Sequence, residues 1–115
     1  MLLNINAEFA LSLDDRTLPI KAKSVVFSSK ADVICVSGMM TGMSVNQAEL
    51  RKVRESIPET PLLANTGVTI DSVKEIFSLT DGCVIGSHLK QNGDTWNKVD
   101  PDRVLQFMEK VNEIR

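Results

Sequence analysis

At 115 residues, with 43% hydrophobic and 24% charged residues, the chain has the composition of one soluble globular domain. A formal net charge of −2, with no basic cluster interleaved with aromatics, argues against a nucleic-acid partner. No apolar run approaches the roughly 20 residues that cross a bilayer, so no membrane insertion is expected.

The N-terminal "MLLNINAEF" has neither a basic region nor a long apolar segment, which argues against export. Cys35 and Cys83 each sit in an apolar, strand-like run and read as buried thiols in a reducing cytoplasm. With a single histidine, His88, and no Cys/His clustering, no zinc site is expected, and no spacing argues for a Cys–His nucleophilic pair.

In chain order, "LLNINAEFAL" reads as a first strand, followed by the polar turn "SLDDR". A helix starting at Thr17 puts Leu18, Ala22, Val25 and Val26 on one face, with Pro19 in its first turn. "ADVICVSG" is a second strand. After "MMTGM", Ser44 and Gln47 have capping-box spacing, and Leu50, Val53 and Ile57 form the stripe of the next helix. The charges of "RKVRE", Arg51 to Glu55, read as its solvated face.

"TPLLANTG" is a third strand, with Thr69 as cap of a helix carrying Val73, Ile76 and Phe77. "GCVIGSHL" is a fourth. A loop, "KQNGDTWNKV", leads to Asp100 as N-cap and Pro101 at the first helical position. Val104, Phe107, Met108 and Val111 then form the last buried stripe.

One helix between each pair of strands predicts an α/β protein with neighbouring strands parallel and right-handed crossovers. Two architectures fit, a doubly wound sheet and part of a barrel. The alternation in "NINAEF" leaves one face of the first strand polar (Asn4, Asn6, Glu8), and Asn65 adds another polar side chain in the third. A polar inner face suits a barrel lumen better than a sheet covered by helices on both sides.

Ligands of such folds bind at the carboxyl ends of the strands. Gly67 and Gly86 both stand where a strand ends, and glycine permits close backbone approach there. In (β/α)8 barrels a phosphate commonly lies between the loops after the last two strands. Gly67, Val68, Thr69, Gly86 and Ser87 are therefore candidate phosphate-binding residues, against the alternative that the glycines only make turns.

Glu8 is the candidate catalytic residue, as general base or cation ligand, against an ordinary solvated carboxylate. Asn6 and Asn65 are candidates to orient a sugar hydroxyl or carbonyl, against hydrogen bonding within the core. Asp94, Thr95 and Trp96 lie in the last loop, where Asp94 and Trp96 are candidate substrate contacts. The alternative has Trp96 packing on the following helix. Alternation does not decide whether His88 faces the barrel mouth or the helices.

Together "INAEF", "ADVICVSGMMTG", "LLANTGVTIDSV" and "DGCVIGSHLKQNGDTWNKVDPDRV" resemble the BtpA family over essentially the whole chain. The most distinctive part is "GSHLK…GDTWN…VDPDRV". The resemblance implies that residues 1–115 are a half-barrel, four β-α units matching strands 5–8 of a phosphate-binding (β/α)8 TIM barrel. An open half exposes its inner face and two strand edges, which predicts a homodimer of half-barrels. The expected ligand is a phosphorylated small molecule, a sugar phosphate or nucleotide, or a phosphate or sulfate ion. No cofactor or metal is specified, and the reaction stays open. The alternatives are a non-catalytic assembly or biogenesis factor and a truncated remnant that keeps the fold.

Overall fold

Apolar runs of three to five residues become four strands in the computed structural model, which describes residues 1–40 and 42–115. They are β1 (Leu2–Asn4), β2 (Val33–Ser37), β3 (Leu62–Asn65) and β4 (Gly82–Val84). Between and after them come α1 (Leu18–Ser29), α2 (Gln47–Ser56), α3 (Val73–Phe77) and α4 (Pro101–Ile114). Thr41, in the segment "MMTGM", lies outside the described residues.

The sheet follows chain order, β1-β2-β3-β4, and every neighbouring pair is parallel. Right-handed crossovers that always advance in one direction put every helix on the same face. The core has that form. Ile34, Val36, Leu62 and Ala64 share one cluster with Ala22, Leu50, Val53, Val73, Ile76, Phe107 and Val111 from the four helices. On the opposite face Leu2, Val33, Leu63 and Val84 stay outside that cluster, and Leu2 and Val84 are about half exposed. A doubly wound sheet would bury both faces, so that alternative falls.

Several elements differ from the sequence reading. β1 stops at Asn4 instead of running to Leu11. The Asn6 side chain then takes the place of a strand backbone, its Oδ1 accepting from Ser37 N and its Nδ2 donating to Ser37 O, both at 2.8 Å. With β2 satisfied this way, the chain is free to peel off the sheet, and Glu8 lies in a loop. β4 stops at Val84, and Ser87–Leu89 forms a 3-10 turn.

The cap of α2 is Asn46, whose Oδ1 accepts from Glu49 N at 3.1 Å, because buried Val45 draws the chain inward before the helix starts. Ser44 instead directs its hydroxyl to Gly67 O at 3.4 Å. α3 begins at Val73; Thr69 caps the turn before it, its Oγ1 accepting from Ser72 N at 3.3 Å. Asp100 caps α4 as expected, accepting from Asp102 N at 3.0 Å, while Met108 is about half exposed and not part of the buried stripe.

Arg54, read as part of a solvated face, is a staple. Its guanidinium donates to Leu79 O, Pro58 O and Thr60 O at 3.1–3.3 Å and pairs with Asp81. Asp81 in turn accepts from Leu62 N at 2.8 Å, so one carboxylate ties α2 to the start of β3.

Candidate functional site

The loops at the carboxyl ends of β2 and β3 are pressed together. A Cβ on Gly67 would lie 2.3 Å from the Met43 carbonyl carbon and from Ser44 N, and Gly67 has φ 63°. The residue must be glycine because of the chain's own packing. Thr66 beside it also takes a left-handed conformation, φ 67°, which is unfavourable for a β-branched residue. Its hydroxyl accepts from Gly38 N at 2.8 Å and donates to Met43 O at 2.9 Å, and its amide donates to Asn65 Oδ1 at 3.0 Å. Those bonds hold the strained residue in place.

Next to this rigid corner lies a cavity of about 220 Å³ lined by Gly67, Val68, Thr69, Gly86, Ser87, His88, Thr95 and Arg103, among others. Gly86 differs from Gly67: a Cβ added there meets nothing within 4 Å, so it opens onto free space. The Ser87 and Thr95 hydroxyls are 2.6 Å apart. Arg103 donates through Nε to His88 O at 2.6 Å and forms none of the ion pairs found among the described residues.

His88 answers the question its position left open, since it lines the cavity while its ring meets Phe107 edge-on, centroids 6.1 Å apart. Burial, with the neighbouring Arg103 charge adding to it, pushes its pKa below the usual value, and Asp71 opposes weakly. Its Nε2 accepts from Ile70 N at 3.3 Å. Its Nδ1 lies 3.5 Å from Arg103 Nη2, and a neutral ring accepts from only one of these two donors.

A second cavity, about 250 Å³, shares Gly42, Gly67, Gly86, Ser87 and Thr95 with the first and adds Glu8, Asn65 and Lys90. Glu8 Oε2 is shielded from solvent and has no hydrogen-bond partner among the described residues. The Glu8 charge lies close enough to Cys35 to raise its thiol further, after burial, to about 11. Asn65 lines this cavity but spends its amide on Ser37 Oγ at 3.0 Å and its carbonyl on Thr66 N. Asn6 is committed to Ser37 as described and borders a different depression.

The BtpA family model matches residues 1–113. The chain belongs to the BtpA family. It is 46% identical over 114 residues to the protein named SgcQ in Escherichia coli (strain K12), a match covering 99% of this chain and 42% of SgcQ. Identity to the photosystem I biogenesis protein BtpA of Synechocystis sp. is 26% over 113 residues, 98% of this chain and 39% of that protein. An uncharacterised mitochondrial protein of Caenorhabditis elegans is 31% identical over 94 residues, 82% of this chain and 33% of its own length. The chain thus spans about two fifths or less of the length of these BtpA-family relatives.

In this BtpA-family chain two further candidate substrate contacts, Asp94 and Trp96, join Asn6 in lying apart from both cavities. Asp94 Oδ1 accepts from Trp96 N at 2.9 Å, and Trp96 is 93% exposed, neither covering a site nor packing on α4. Thr69 reaches the first cavity, but its hydroxyl is held by Ser72. Among the described residues no three His, Cys, Asp or Glu side chains stand together, so Glu8 is part of no three-ligand cation set there. No helix among them is long and apolar enough to cross a membrane.

Sequence reasoning missed Arg103 and Lys90. For Arg103 a signal exists. It is the third residue of α4, two after Pro101, where a cation opposes the helix dipole and is the less favoured charge. For Lys90, in the irregular loop after β4, nothing in the sequence marks it.

Proposed function

We propose that this BtpA-family chain binds the phosphoryl group of a small phosphorylated molecule in the cavity between the loops that follow β3 and β4. The observation that carries the reading is Arg103, which forms none of the ion pairs found among the described residues and holds its Nη2 3.5 Å from His88 Nδ1 beside open space. An anion with several acceptor oxygens gives the guanidinium a partner, and Arg is the side chain best shaped for phosphate. Gly67 to Thr69, Gly86 and Ser87 complete the walls, and the free space at Gly86 leaves room for the oxygens.

Titration calorimetry with inorganic phosphate tests this. Wild-type protein should bind, and Arg103→Gln should bind about tenfold more weakly or worse, since charged hydrogen bonds contribute roughly 1.5–3 kcal/mol. Equal affinity in the two proteins would remove Arg103, and with it the reading. Gly86→Val, which fills the cavity from a position free of clashes, should block binding while leaving the fold intact.

The bare sheet face supports a further part of the reading. Four strands in chain order with all helices on one side have the layout expected of half a (β/α)8 barrel, and a second copy of the chain would supply the other half. Light scattering over a concentration range should give twice the 12.7 kDa chain mass; a monomer at all concentrations sinks the pairing. A non-catalytic role is the second reading. It is favoured by Glu8 being, among the described residues, the one carboxylate lining either cavity, whereas active sites of such barrels draw on many strands. Turnover lost in Glu8→Gln would mark an enzyme, and ligand-induced stabilisation without turnover would mark a binding protein.

A further inference from the structure

The orphaned oxygen of Glu8 calls for a donor. A carboxylate oxygen out of contact with water and without a partner is costly, and such groups are normally satisfied by protein, solvent or ligand. Glu8 Oε2 is the only buried side-chain polar atom of this kind among the described residues. Glu8 lines the cavity that adjoins the one beside Arg103, with Gly42, Gly67, Gly86, Ser87 and Thr95 forming the shared rim.

We infer that the ligand is a phosphate ester of a small polyol, with its phosphoryl group against Arg103 and His88 and a hydroxyl donating to Glu8. This rests on the phosphate reading and extends it to the other end of the molecule. Glu8 cannot serve the phosphate itself, because two anions repel. An ammonium group is disfavoured at the same place, because Lys90 lines the cavity. A hydroxyl is neutral and donates one hydrogen bond, which fits a carboxylate in a cavity that a lysine also lines. Each cavity is smaller than the roughly 300 Å³ at which drug-sized ligand sites begin, so two small ends joined across the rim suit it better than a nucleotide base.

The test compares glycerol 3-phosphate with methyl phosphate by titration calorimetry, in the wild type, Glu8→Ala and Glu8→Gln. Both esters carry the same phosphoryl chemistry, so any repulsion from Glu8 cancels in their ratio. Wild type should prefer glycerol 3-phosphate by about tenfold, the worth of one hydrogen bond to a charged group. Glu8→Ala should lose the preference, and Glu8→Gln should keep only part of it. Glu8 lies in a half-exposed loop and its Oε2 is unbonded, so these variants remove no contact of that oxygen that holds the fold. Equal binding of the two esters by wild type overturns the inference and leaves the phosphate site standing, as does a preference that survives in Glu8→Ala. Failure of methyl phosphate, glycerol 3-phosphate and inorganic phosphate alike overturns both readings.

Discussion

Replacing Gly67 by alanine tests how the site is built. The added Cβ would lie 2.3 Å from the Met43 carbonyl carbon and from Ser44 N, which are backbone atoms of a loop packed on β2 and β3. Overpacking of that kind costs roughly 1–3 kcal/mol. The left-handed φ of 63° adds about 1–2 kcal/mol for a residue with a Cβ. Together the loss is roughly 2–5 kcal/mol, a large part of the 5–15 kcal/mol that stabilises a typical domain. At roughly 4 °C per kcal/mol for a chain of this size, the melting temperature should fall by about 8–20 °C. Gly42 and Gly86 are the controls. Gly42 has φ 85° and open space, so its alanine variant should lose only the conformational part. Gly86 has neither constraint and should be nearly neutral. Scanning calorimetry or thermal circular dichroism of the three variants gives the ranking. If Gly67→Ala melts no lower than Gly42→Ala, the close approach of the Met43–Ser44 backbone is wrong.

Cys35 offers a check on where Glu8 stands. Its thiol is pushed up to about 11 by burial and then by the Glu8 charge, so removing that charge in Glu8→Gln should lower the midpoint of its alkylation rate against pH. An unchanged midpoint would put Glu8 away from β2. Asp81 is held below the ordinary carboxylate range chiefly by the Leu62 amide; burial opposes that, and the hydrogen bond and charge of Arg54 add to the lowering. Its folded pKa is the lower one, so the stability it lends is complete above its unfolded value of about 3.9 and disappears as pH falls through the folded value. The urea midpoints of wild type and Asp81→Asn should therefore differ at about pH 6 and converge near about pH 2; a constant gap would show that the ionised carboxylate contributes nothing.

The candidate site was readable only in part, and the missing parts share a cause. Gly67 and Gly86 look alike in the sequence, each a glycine after a strand, yet one is packed against Met43 and the other faces a cavity. That distinction depends on a loop some twenty residues away in the chain, which no local pattern encodes. Arg103 and His88 are 15 residues apart and meet only because the first turn of α4 returns to the carboxyl end of β4. Asn6 and Glu8 kept a strand's alternation in the sequence, but a side chain can imitate a strand's hydrogen bonds, and Asn6 does so against Ser37.

The sequence by itself determined the alternation of four strands and four helices, the starts of α1 and α4, and the parallel order. These follow from hydrophobic period, capping residues and proline placement, all of which act within a turn or two of chain. It also carried the family, through motifs spread over nearly the whole length. Tertiary structure alone decided that every helix lies on one side of the sheet, and that Arg54 is a staple. It alone left a buried carboxylate oxygen without a partner beside a cavity lined by donors. Those outcomes depend on which distant groups are brought within hydrogen-bond or van der Waals range. Such distances are set by packing the whole chain at once, not by any stretch of it.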